Sequence, residues 1–215
     1  MNTHIKEVKR LYAQKKKEIN RRLREFKDIW KKGSGTEILR ELIFCIFTPQ
    51  SNARGCWSCV ESILKKNLLI KGTEKQILKE LTFVRFKYKK AKFAVEARNK
   101  FIKGNRIVLR EKLKEFRDVY AMREYLVKNI KGYGYKEASH FLRNIGFTED
   151  IAILDRHILK NLKFMGAIRK VPESVTPGAY LEIERKMKKF SKKIKIPMGG
   201  LDLILWYREA GAVFK

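Results

Sequence analysis

The sequence predicts an all-α protein. Apolar residues recur at spacings of three, four and seven along most of the chain, and segments that alternate with period two are scarce. Hydrophobic residues make up 44% of 215, enough Leu, Ile, Phe and Val to fill a core despite a net charge of +28. Residues 3–32 read as a basic amphipathic helix, with Ile5, Val8, Leu11 or Tyr12, Ile19, Leu23, Phe26 and Trp30 on its apolar side. The break Gly33-Ser34-Gly35-Thr36 lets Thr36 cap a second helix from Glu37 to Phe47, whose apolar run suggests burial and which Pro49 ends. Further helices are expected at 52–66, 74–80, 88–102, 108–115, 118–130, 135–146, 155–164, 177–190 and 198–211. Short breaks such as Lys71-Gly72-Thr73 and Lys103-Gly104-Asn105 separate them, and Pro172 to Gly178 reads as a loop. No tandem repeat or long linker is visible, so the length suits one large domain or two small lobes sharing a cleft.

The charge narrows the partner. With 51 Lys+Arg against 23 Asp+Glu, self-repulsion calls for a polyanion, either nucleic acid or an anionic membrane surface. The longest apolar runs, Leu42–Phe47 and Leu201–Tyr207, fall far short of the roughly 20 residues that span a bilayer. The N-terminus lacks the apolar stretch of a signal peptide, so a cytoplasmic, nucleoid-associated location is expected. Cys45, Cys56 and Cys59 are an odd number in a chain that reads as cytosolic, which argues against a disulfide framework. Cys56 and Cys59 form a C-x-x-C with neither a second zinc half-site nor a βαβ context, so packing on a buried helix is expected of them. His4, His140 and His157 make no metal-ligand pattern, and neither metal nor cofactor is expected.

Chemistry concentrates between Tyr125 and Ile158. A helix ends at Ile130, Gly132 and Gly134 follow, and a second helix opens with Lys136 in its first turn. This is a helix-hairpin-helix over residues 118–146. The two glycines allow backbone conformations closed to larger residues, and amides at the following helix N-terminus can hold a phosphate without reading sequence. Nineteen residues after Lys136 comes Asp155, behind the apolar frame Ile151-Ala152-Ile153-Leu154 and just before another helix. As a helix cap alone, Asp155 would have a purely structural role.

The frame Ile130-Lys131-Gly132-Tyr133-Gly134-Tyr135-Lys136-Glu137-Ala138 with the later Asp155 resembles the helix-hairpin-helix DNA glycosylase superfamily. There a G-x-G-x-K hairpin precedes an essential Asp, and Lys131 stands where a proline is frequent. Members with this lysine are glycosylases that also act as lyases. The resemblance implies Lys136 as the nucleophile at C1′ of a deoxynucleotide and Asp155 as the carboxylate stabilising positive charge at the sugar. Three cysteines, all before residue 60, exclude the four-cysteine iron–sulfur cluster of endonuclease III relatives.

The C-terminal segment from Met198-Gly199-Gly200 through Trp206 to Lys215 is similar to that of type-2 8-oxoguanine DNA glycosylase/AP lyases of archaea and some thermophilic bacteria. The segment Glu41 to Ala53 agrees with their pocket-forming helix and loop. The resemblance implies a two-lobed all-α fold with its active site in the cleft between the lobes. The N- and C-terminal lobe is expected at 1–32 plus 150–215, and the central lobe at 33–149. It further implies that Lys136, Asp155 and Lys215 converge, and that Lys215, Trp206 and Gln50 recognise an extruded base. Gly132 and Gly134 are expected to hold the backbone of double-stranded DNA containing 8-oxoguanine, and the protein is expected to be a monomer. A glycosylase/lyase for oxidised pyrimidines and a non-enzymatic helix-hairpin-helix DNA binder stand as alternatives. Tyr133 and Tyr135 flank the hairpin and face either DNA or protein.

Overall fold

The computed structural model describes residues 2–215. The chain divides into two compact units, one of Met1–Asp28 with Leu142–Lys215 and one of Ile29–Phe141. Boundaries expected at 32/33 and 149/150 thus lie at 28/29 and 141/142, inside the helices that open the chain and follow the hairpin. A helix presents successive faces to different neighbours, so its end need not mark the edge of a compact unit.

In the continuous unit, α2 (Gly35–Phe47) is the central helix, packing against α3 (Ala53–Lys65), α6 (Lys87–Phe101) and α7 (Leu109–Lys114). Its burial follows from composition, since Ile38, Leu39 and every residue from Leu42 to Phe47 are core. Its cap is Ser34 rather than the expected Thr36: Ser34 accepts from the Glu37 amide while the Glu37 carboxylate accepts from the Ser34 amide. This reciprocal arrangement needs Glu three residues after the cap, which Ser34 has and Thr36 lacks. Cys56, Cys59, Val60 and Ile63 make the buried stripe of α3, so the C-x-x-C is helix spacing, and all three cysteines are buried and in no disulfide.

The short helices α4 (Leu68–Lys71) and α5 (Glu74–Glu80) lead to α6, whose Ala91, Ala94 and Ala97 form a smooth buried stripe that suits close packing on α2. The Lys103-Gly104-Asn105 break is the turn of a two-residue hairpin, β1 (Ile102–Lys103) antiparallel to β2 (Arg106–Ile107), in a chain that is otherwise helical as expected. Gly104 takes φ 58° there, and the paired run is too short to show alternation. Then come α7, α8 (Val119–Asn129) capped by Asp118, and α9 (Tyr135–Asn144).

The discontinuous unit is built on α1 (Thr3–Lys32), whose Val8, Ile19 and Phe26 form one buried stripe. It continues with α10 (Arg156–Phe164), α11 (Pro177–Ile194) and α12 (Met198–Ala210), of which α12 packs on α10 and α11. Thr176 caps α11 with Pro177 in the first turn, so the proline-rich loop stops there. Gly199 and Gly200 admit close neighbours: a Cβ on Gly200 would lie 2.8 Å from the Tyr12 ring, and one on Gly199 2.9 Å from Thr148.

Candidate active site

The hairpin is held from below. Ile130 closes α8 by donating to Leu126, and Gly132 turns the chain at φ 84°, where a Cβ would stand 2.9 Å from the Phe93 ring. Tyr133 is buried, and its hydroxyl donates to the Leu42 carbonyl of α2 at 2.8 Å. Tyr135 donates to Glu124 at 2.6 Å and lies against the Arg123 guanidinium. Both tyrosines therefore serve the protein.

The two glycines differ. Gly132 needs its positive φ, whereas Gly134 does not have one, and its N–H donates to Glu137 Oε2 at 3.1 Å. Of the two, then, only Gly132 is demanded by its backbone conformation. Lys136 occupies the first turn of α9 with a side chain 26% exposed, its Nζ 3.4 Å from Glu137 Oε1. One carboxylate thus spans the hairpin amide and the lysine amine.

In the same unit, Thr48-Pro49-Gln50-Ser51 forms a turn closed by the Ser51 amide on the Thr48 carbonyl at 3.0 Å. Gln50 is exposed and held at φ 56°, the left-handed region where turns ordinarily place Gly or Asn. Beneath it, the buried Lys90 donates to the carbonyls of Phe47 at 2.8 Å and Pro49 at 2.6 Å and to the Ser51 hydroxyl at 3.2 Å. Burial pushes its ammonium down to about 8, with the Lys136 charge adding to the shift.

Asp155, in the other unit, stands at the end of Ile151–Leu154, four buried residues in no regular element. Side chains of α11 replace the missing backbone partners. Glu184 accepts from the Ala152 amide at 2.7 Å, and the Tyr180 hydroxyl donates to the Ala152 carbonyl and accepts from the Leu154 amide. Asp155 then caps α10, its Oδ1 accepting from the amides of His157 at 2.9 Å and Ile158 at 2.8 Å. Both cap bonds end on one oxygen, so the cap and a charge-stabilising role of Oδ2 are compatible.

Near it, Asp202 is buried with Arg143 3.4 Å away. Desolvation outweighs that guanidinium and raises the Asp202 carboxyl to about 6, helped by the Asp155 charge. Trp206 meets the His157 ring edge-on at 5.9 Å, and the other face of this corner is tied by Glu209 to His157 and Asn161. Arg208 joins Asn161 to Glu7 of α1. Lys215 is 8% exposed, with Val213 buried beside it in sequence, so the tail is packed rather than frayed.

Gln50, Gly132, Gly134 and Lys136 therefore lie in one unit, and Asp155, Trp206 and Lys215 in the other. Lys90, Glu137, Tyr180 and Glu184 escaped the sequence reading. Only Glu137 left a signal there, as the acidic residue three positions after Gly134 that favours capping. Among the described residues no group of three His, Cys, Asp or Glu is placed to hold a metal ion, and no helix is long and apolar enough to cross a membrane.

Comparison with known proteins places this geometry. The family model described as 8-oxoguanine DNA glycosylase matches residues 19–196. An 8-oxoguanine DNA glycosylase/AP lyase of Fusobacterium nucleatum is 45% identical over 214 residues, covering 100% of this chain and 99% of its own. One from Korarchaeum cryptofilum is 40% identical, covering 98% of this chain and 97% of its own. The crystal structure of the 8-oxoguanine DNA glycosylase of Thermotoga maritima superposes with a TM-score of 0.87 at 34% identity, covering 98% of each chain. That of the Methanocaldococcus jannaschii 8-oxoguanine glycosylase/lyase, in complex with a 15mer DNA containing 8-oxoguanine, gives 0.86 at 35%, covering 98% of this chain and 99% of its own. A capped Asp after an apolar segment, a lysine one turn into the helix beyond a glycine hairpin, and likeness along nearly the whole length lead to one assignment: the chain belongs to the 8-oxoguanine DNA glycosylase family.

Proposed function

We propose that this protein excises 8-oxoguanine from double-stranded DNA and then cleaves the strand at the exposed sugar, with Lys136 as the nucleophile. The observation that carries this reading is the position of Lys136, partly exposed in the first turn of α9 directly beyond the Gly132 hairpin. A lysine ordinarily titrates near 10.4, so the amine must shed a proton before it attacks. Its nitrogen then bonds to C1′ while the C1′–N9 bond breaks, and the electron pair leaves with the base, which takes up a proton. The attached nitrogen gives up one of its two protons, and its lone pair then opens the C1′–O4′ bond, O4′ taking up a proton, to give a protonated Schiff base. Removal of a C2′ proton then expels the 3′ phosphate, which is β-elimination, and water releases Lys136.

Asp155 stabilises the positive character that develops at the sugar as the base departs. The stacked nucleotide must first leave the duplex, at a cost of a few kcal/mol recovered from phosphate contacts and pocket packing. Gly132 at the hairpin tip and the wider excess of positive charge supply the backbone contacts, and the protein works as a monomer. Trp206 stacks on the extruded base and Gln50 contacts its edge. Lys215 reads the base edge at which 8-oxoguanine carries N7–H where guanine has an N7 lone pair.

Borohydride reduction during incubation with a duplex carrying one 8-oxoguanine tests the reading. A covalent protein–DNA adduct is expected that Lys136→Gln abolishes, and no adduct with any oxidised base would overturn it. Deleting Lys215 is expected to weaken discrimination against guanine more than DNA binding, and unchanged selectivity would refute the role of the tail.

A further inference from the structure

We propose that Lys90 is a positioning residue for base recognition, its buried ammonium clamping the Thr48–Ser51 turn so that Gln50 is presented in one orientation. This rests on the reading of Gln50 as a base contact and deepens it.

Three features converge. A buried ammonium is expensive unless each donor finds an oxygen, and Lys90 finds three: the carbonyls of Phe47 and Pro49 and the hydroxyl of Ser51. Those oxygens bracket Gln50 on both sides in sequence. The Phe47 carbonyl is also one of the last of α2, left without an in-helix partner, and the Cys56 thiol donates to it as well, at 3.3 Å. The hydroxyl of Ser51 further accepts from the Arg85 amide at 2.9 Å, which fastens the far side of the turn to the start of the α6 segment.

The second feature is conformational. Gln50 holds φ 56° without the freedom of glycine, and a non-glycine residue stays in that region only where its surroundings over-determine it. Lys90 supplies that constraint from beneath, while the Gln50 side chain itself remains exposed and available to a ligand. The third is placement: Lys90 lies within electrostatic reach of both Lys136 and Glu137, so the clamp and the start of the nucleophile's helix are neighbours. A salt bridge to an acidic side chain would have served folding equally well. Bonding to three oxygens around one exposed, strained residue serves presentation.

Single-turnover excision by the full-length protein on a duplex with one 8-oxoguanine tests the assignment. Lys90→Met is expected to slow excision about tenfold, the scale of a sub-ångström misplacement, while the Kd for the duplex changes less than about twofold. Borohydride trapping of Lys90→Met at a pre-formed abasic site, where no base remains to be recognised, is expected to stay within about twofold of wild type. Gln50→Ala is expected to slow excision similarly, and the double variant no further than the slower single one, because both remove the same contact. Wild-type excision by Lys90→Met, losses that multiply in the double variant, or abasic trapping that falls along with excision would each overturn the proposal. Should Lys90→Met fail to fold by its thermal melt, Ser51→Ala removes one acceptor and leaves the lysine. It is expected to slow excision about threefold and to show the same non-additivity with Gln50→Ala, and wild-type behaviour would again overturn the proposal. Trapping that survives in Lys136→Gln would instead refute the nucleophile assignment and leave the coupling of Lys90 to Gln50 intact.

Discussion

Lys136 and Asp155 are delivered to their positions by opposite means. The hairpin before Lys136 is a local device: one glycine at positive φ, one carboxylate on the Gly134 amide, and one tyrosine bolted to α2. The segment before Asp155 has little local support beyond the Asp155 amide on the Ile153 carbonyl. Its backbone depends on Tyr180 and Glu184, some thirty residues later in the chain. Local order gives a site that a single residue sets, whereas long-range support makes Asp155 only as well placed as the packing of α11.

The largest effect on this contrast should come from Lys136→Gln, which keeps the hairpin and removes the amine. Excision and trapping are expected to fall by at least about a hundredfold with an unchanged thermal midpoint. A matching loss of stability would show that Lys136 is part of the scaffold.

Next is Asp202, the buried carboxyl beside Asp155. Its folded value of about 6 exceeds the ordinary 3.8, so between those values the folded state holds a proton that the unfolded chain has released. This group's contribution therefore favours folding as the pH falls through 6 toward 4, and its buried charge weighs against folding above 6, by at most about 3 kcal/mol. Asp202→Asn removes that dependence. Urea midpoints should show the variant gaining on the wild type as the pH rises from 4.5 to 7.5, and a difference that stays flat would contradict the raised carboxyl.

Tyr180→Phe strips the hydroxyl shared by Ala152 and Leu154 and leaves a buried carbonyl without its donor, at a cost of about 2 kcal/mol. Because that segment carries Asp155, excision should fall more than DNA binding. Equal losses would mean that α11 supports the unit and not the carboxylate.

The smallest effects sharpen the hairpin itself. Gly132→Ala meets both a positive φ and the Phe93 ring and should cost about 1–2 kcal/mol. Gly134→Ala, whose Cβ would meet only the flexible Glu137 oxygen at 3.3 Å, should cost less than about 0.5 kcal/mol. Similar losses in thermal melts would erase the distinction between the two glycines.

The same contrast explains what was legible in the sequence. The stripe of α1, the hairpin and its lysine, and the cap position of Asp155 all follow from spacing over a few residues. Capping by Ser34 was also written locally, in Glu37, and was missed because Thr36 stood nearer the apolar run. The four-residue α4 and two-residue strands are too short for any period to show. Lys90 was illegible for a different reason. Among 51 basic residues nothing marks Lys90 as one that turns inward, since two of its partners are main-chain oxygens, which every residue type carries. Likewise Tyr180 and Glu184 read as ordinary members of an amphipathic helix.

The division of the chain also bears on its birth. The continuous unit, Ile29–Phe141, is made in one stretch, but the part of α1 up to Asp28 precedes it and must wait for Leu142–Lys215. At ordinary translation speeds that wait lasts on the order of ten seconds. Throughout it the stripe of Val8, Ile19 and Phe26 has nothing of its own unit to pack on, while the lysines and arginines around it repel other nascent chains. Vectorial synthesis thus completes the continuous unit first and leaves the other to close only when α10, α11 and α12 follow.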